Sequence, residues 1–126
     1  MSESAVRTFF AVAAVLTAGL GAAYLIAPEV MLAQWGVPDP DPITLYMSRR
    51  YAVMFLGYAT LLWLARNATA SPAGKAICAG GVVVTSAMAA MSAWGPLSGV
   101  VGPFAWSAVA IEVVLAVGFA RAWARA

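Results

Sequence analysis

Four stretches of about 20 predominantly apolar residues follow one another and take up most of the chain. Each is long enough to cross the hydrocarbon layer of a bilayer as a helix. A soluble domain of 126 residues, 63% hydrophobic and with a mean hydropathy of +0.89, has no core large enough to hide them. The sequence therefore predicts an all-α integral membrane protein, a four-helix bundle forming one domain over residues 1–126. The spans are expected at about 5–27, 43–66, 75–95 and 104–123.

Local chemistry marks the boundaries. The first span stops at Pro28, which a helix does not easily continue through. It is read as a retained span and not a cleaved signal peptide, being longer than the usual apolar region of a leader with only Arg7 before it. In "PEVMLAQWGVPDPDP", residues 28–42, the first part is expected to make about two turns in the interface with Trp35 at headgroup level. An extended, proline-stiffened loop follows, read as a connector ahead of a ligand lid. Asp41 is placed to cap the second span and Pro42 to occupy its first position. "NATASPAG" is the turn before the third span, and "GPLSGVVGP" the break before the fourth.

Orientation follows from the charges. Arg7, Arg66, Lys75, Arg121 and Arg125 fall at one set of ends, whereas Glu29, Asp39 and Asp41 occupy the first connection. Both termini are accordingly expected on the cytoplasmic side of a cell membrane, the inner membrane of a bacterium. Trp63 and Trp123 would mark the inner interface, and Trp35, Trp94 and Trp106 the outer one. The Asn67-Ala68-Thr69 sequon then lies on the cytoplasmic side and is discarded as a glycosylation site.

Composition removes several classes of function. The net charge of +2 comes from scattered residues and forms no patch for nucleic acid. With no histidine and the single Cys78, an intrachain disulfide, a zinc site of the usual kind and His-ligated haem are excluded, and no metal site is expected. Cys78 reads as a small apolar helix residue.

Among the helix faces, the first span repeats Ala11, Ala14, Ala18 and Gly21 or Ala22 at helical spacing, a packing surface. Gly81, Thr85, Met88 and Ser92 form a weakly polar stripe on the third, also read as packing. Glu112 is the sharpest signal, with no other charge within eight residues on either side. Its helical neighbours Ala105, Ala108 and Ala116 are small, so it is expected to face the interior, where an ionisable group marks a site, a pair or a pathway. The bland reading is a buried acid that bonds to a Tyr, Ser or Arg and fixes packing.

The adjacent Arg49 and Arg50 near the start of the second span oppose the positive-inside tendency and require nearby anions. Counting helical rise puts Arg49 about 3 to 5 Å and Glu112 about 12 Å below the outer surface. Adjacent residues point about 100° apart on a helix, so the two guanidiniums are assigned different tasks. One is expected to turn toward Glu112, directly or through water or a tyrosine such as Tyr46, Tyr24 or Tyr58. The other is expected to reach phosphate, Asp39 or Asp41, with Glu29 a further candidate.

The layout resembles the DoxX-like families of small four-span bacterial membrane proteins. The likeness is carried by "APEV" at the end of the first span, the "WGVP" connector, "RRYAVMFLGY" opening the second, and the compact four-helix length. It implies a possible association with quinone-linked redox assemblies. The lack of a second cysteine speaks against direct thiol chemistry in this chain. The expected function is binding of a small apolar or amphipathic molecule, such as a quinone or lipid, in an outward-opening cavity. Arg49 or Arg50 would hold its polar head, Glu112 would tune that charge, and Tyr46, Tyr58 and Trp106 would line the walls. The alternative is a structural subunit of a homo-oligomer or larger membrane complex. A catalytic role for Glu112 as a general acid has little support without a nucleophile beside it, so no catalytic residue and no resident cofactor are assigned.

Overall fold

A helix satisfies its backbone N–H and C=O groups internally, which is what an apolar surrounding demands of a chain. The computed structural model describes residues 1–125, and the segments of regular structure among them are all helical. They are α1 (Glu3–Ile26), α2 (Pro28–Gln34), α3 (Pro42–Ala65), α4 (Pro72–Leu97) and α5 (Ala105–Arg125). Three of them, α1, α4 and α5, are long and apolar enough to cross a membrane. At 24 residues α3 matches α1 in length, but Arg49 and Arg50 lower the hydropathy of its N-terminal half.

The helix starts are capped by side chains. Ser2 Oγ accepts from the Ala5 N–H at 3.2 Å, and Asp41 Oδ1 accepts from Ile43 and Thr44 N–H at 2.8 and 2.9 Å. Ser71 Oγ accepts from Gly74 N–H at 3.1 Å with Pro72 in the first turn, so α4 begins three residues before the expected position 75. The Ser-Pro pair that reads as loop in "NATASPAG" is cap and first helical residue. Two helix ends share another device. Gly36 (φ 89°) and Gly99 (φ 74°) adopt the left-handed region directly after the caps of α2 and α4. Val37 N–H then reaches Leu32 C=O and Val100 N–H reaches Gly95 C=O, both at 3.0 Å, in a Schellman closure.

The long helices associate in two intimate pairs, α1 with α3 and α4 with α5. Small residues let the backbones approach. A Cβ on Gly21 of α1 would sit 3.0 Å from the Ala52 carbonyl of α3, and one on Gly81 of α4 would sit 2.6 Å from the Phe119 ring of α5. No Cα of α3 comes within 8 Å of one on α5.

The pairs meet through larger side chains. Phe10, Phe119, Leu62 and Cys78 are essentially inaccessible and form the main core with Val6, Ala13, Ala14 and Ala122. Phe9 stands edge-on to Phe119 at 4.9 Å between ring centres, within the range favoured by aromatic quadrupoles. This core lies toward the end that carries both termini, where Arg125 Nη1 donates to the Met1 carbonyl at 2.5 Å. At the opposite end, Gly102 N–H donates to Trp35 C=O at 2.8 Å, and Trp35 meets Phe104 at 6.1 Å. The two connections are thereby tied together beside α2.

Two outcomes follow from these contacts. Gly81→Ala drives a methyl into the buried Phe119 ring and should cost about 1–3 kcal/mol in detergent-titrated unfolding. Its neighbour Gly80 faces open space, and Gly80→Ala should stay within about 0.5 kcal/mol. Separately, the Thr44 N–H and hydroxyl hold the Asp41 carboxyl below its ordinary value of 3.8. The cap is therefore fully formed above that value and is lost as pH falls through the lower folded value. Amide exchange at Ile43 and Thr44 should accelerate over that acid range, and Asp41→Ala should show the fast exchange at every pH.

Candidate functional site

Each polar group in the apolar part of the chain needs a partner, and the structure distributes the expected site residues over separate places. Arg49 projects from α3 onto the junction of α1 and α2. Its Nη2 lies 3.6 Å from Glu29 Oε1, and its Nε donates to the Leu25 carbonyl at 3.4 Å. Leu25 is in the last turn of α1, whose carbonyls have no partner within the helix, and Glu29 is in the first turn of α2, where the helix dipole favours an anion. Arg49 thus serves both termini at once.

This pairing corrects the expected one. Glu29, the least favoured of the candidate anions, takes Arg49, while Asp41 spends both carboxylate oxygens on its cap, with Thr44 Oγ1 donating to Oδ2 at 2.8 Å. Neither Arg49 nor Arg50 pairs with Glu112, because α3 packs along α1 and not along α5. Arg50 is exposed and makes no ion pair or hydrogen bond among the described residues.

Glu112 occupies the α4–α5 contact as its small neighbours lead one to expect. It is 8% exposed, in line with buried Ala105, Phe119 and Ala122 on the same face of α5. Across from it, Gly81, Thr85 and Ser92 of the weakly polar stripe are buried on α4. Thr85 spends its hydroxyl on the Gly81 carbonyl at 2.7 Å, and Ser92 faces the Glu112 carboxyl. Glu112 Oε2 nevertheless has no hydrogen-bond partner among the described residues.

The aromatic candidates do not converge on these groups. Tyr58 lies nine residues beyond Arg49, about 13 Å along α3, and its hydroxyl donates to the Ile77 carbonyl at 3.5 Å beside the main core. Tyr46 and Trp106 are exposed on α3 and α5. No three His, Cys, Asp or Glu side chains among the described residues are gathered to hold a metal ion. A shallow apolar groove of about 350 Å³ runs between α1 and α5, lined by Phe9, Leu16, Ile111 and Leu115 among others.

Comparison with known proteins adds no family: no family model matches the chain, and no curated protein or solved structure shows significant similarity to it.

The Arg49 clasp has a measurable share in holding α1 to α3. Both side chains are about half exposed, at 45% and 52%, so in water the pair contributes no more than about 1 kcal/mol. Glu29→Gln should lower unfolding stability by that amount or less. Arg49→Ala should cost somewhat more, because it also strips the Leu25 carbonyl of its donor.

Proposed function

We propose that the protein is a four-span protein of the cell membrane with both termini cytoplasmic, and that it binds a small amphipathic molecule, a lipid or quinone-like compound, at its outward end. The topology is supported by the charges: Arg7, Arg66, Lys75, Arg121 and Arg125 gather toward the end with the termini, and Glu29, Asp39 and Asp41 toward the other. Arg49 and Arg50 are the basic exceptions and Glu3 the acidic one, and Arg49 is offset by Glu29.

The observation that carries the binding reading is Arg50, an exposed guanidinium without a partner among the described residues, near the outward end of a span. Its helical face supplies the rest of an amphiphile's requirements. Tyr46 precedes it by four residues, and Val53, Met54 and Leu61 continue the face inward, all exposed. Gly57 sits among them with open space where a side chain would be, which leaves a trough in the apolar surface. A head group meeting Arg50 and Tyr46 would thus lay its tail along α3. Glu112 and Trp106 stand apart from this face.

A second reading, a subunit that packs into a homo-oligomer or a larger membrane complex, draws on Gly19, Gly57 and Gly80. All three face open space, the kind of surface by which membrane helices approach one another. The resemblance to DoxX-like proteins would place such a complex among redox assemblies.

Native mass spectrometry from micelles doped with phosphatidylglycerol, phosphatidylcholine or a short-chain quinone separates the readings. One retained lipid or quinone in the parent protein, with affinity about fivefold lower in Arg50→Ala, supports the binding site. Equal retention by the parent and Arg50→Ala overturns it. Crosslinked dimers in native membranes that vanish in Gly57→Leu would favour the subunit.

A further inference from the structure

Glu112 lies about 10 Å from either end of its contact with α4, counting seven residues from Ala105 and seven to Phe119. Its Oε2 is sealed from solvent and has no donor among the described residues, and the uncharged Ser92 of the facing helix stands beside the carboxyl. The charged and titratable groups of the surrounding helices are engaged elsewhere or distant. Arg49 is on Glu29, Tyr58 is on the Ile77 carbonyl, and Cys78 packs in the core near Phe119. Lys75 is in the first turn of α4, far from Ser92, and α1 contributes Tyr24 near Trp35.

An ionised carboxylate with no counter-charge and no donor on one oxygen is strongly disfavoured in an apolar interior. The same carboxyl as a neutral acid costs far less. Oε2 is closed off from solvent, and the α1–α5 groove is lined wholly by apolar side chains.

We propose that Glu112, with Ser92 beside it, is a proton-binding site buried within the α4–α5 pair. Glu112 stands in the folded protein as a carboxylic acid, and Ser92 is the positioning residue whose hydroxyl meets the carboxylate when the proton leaves. The site gives the chain one intramembrane group able to take up and release a proton, with no second acid beside it to relay that proton onward. It stands independently of lipid binding at Arg50.

Two measurements on the full chain in lipid nanodiscs test this. A hydrophobic carbodiimide reacts with a buried carboxylic acid: the acid proton moves to one carbodiimide nitrogen while the carboxylate oxygen bonds to the central carbon. The acyl group then shifts to nitrogen, so the protein gains the whole reagent mass and nothing leaves. Labelling at Glu112 near neutral pH that declines with one-proton steepness as pH rises is expected. Infrared difference spectra should show a protonated-acid carbonyl band absent from Glu112→Gln. Ser92→Ala should move the midpoint upward by roughly half to one pH unit, since the carboxylate loses a hydrogen-bond donor. A Glu112→Gln spectrum that lacks only ionised-carboxylate bands at neutral pH overturns the proposal, and so does labelling that stays the same in Glu112→Gln. An unmoved midpoint in Ser92→Ala removes Ser92 from the site.

Discussion

Close approach of backbones is the constraint on which the rest of the structure depends. Helices as apolar as α1, α4 and α5 gain little by hiding from lipid tails, so they associate where their shapes let atoms come near. Gly21 admits the Ala52 carbonyl, Gly81 admits the Phe119 ring, and Ala105 and Ala122 continue the seam of α5. Two pairs result, and every polar side chain must then find its partner inside a pair, at a helix end or outside the protein.

The three outcomes are all present. Arg49 finds a helix end, bridging the last carbonyls of α1 and the first turn of α2. Glu112 is enclosed within a pair whose other helix sets the Ser92 hydroxyl beside it. Arg50, one residue from Arg49 and turned about 100° away, is left to the surroundings. One step along the helix separates a structural guanidinium from a free one.

How much of this the sequence discloses depends on the range of the interaction. Local chemistry is legible: Asp41-Pro42 marks the start of α3, and "PEVMLAQWG" yields the short helix α2 closed by Gly36. The inward face of Glu112 is legible too, because Ala108 and Ala105 lie one and two turns away on its side. The partner of Arg49 is not. Helical rise gives depth along an axis but not which helix lies beside which, and the expected meeting with Glu112 assumed that α3 and α5 were neighbours. Glu29 reaches Arg49 only because α2 folds back at Pro28, a tertiary event with no periodic signature. The purpose of Ser92 was hidden similarly, since a hydroxyl in a stripe of small residues looks the same whether or not an acid stands opposite.

The joint between the two pairs has a different character from the joints within them. Phe9 of α1 stands over Gly118 of α5 and lines the groove between the two helices. Turning that ring about its first torsion would uncover the glycine and lengthen the trough without breaking a helical hydrogen bond. Prying α1 from α3 would instead mean pulling main chain from main chain at Gly21 and Ala52. Inside each couple main chain meets main chain, whereas at the Phe9 margin a ring meets a glycine, so sliding one couple against the other there asks only for side-chain rotation.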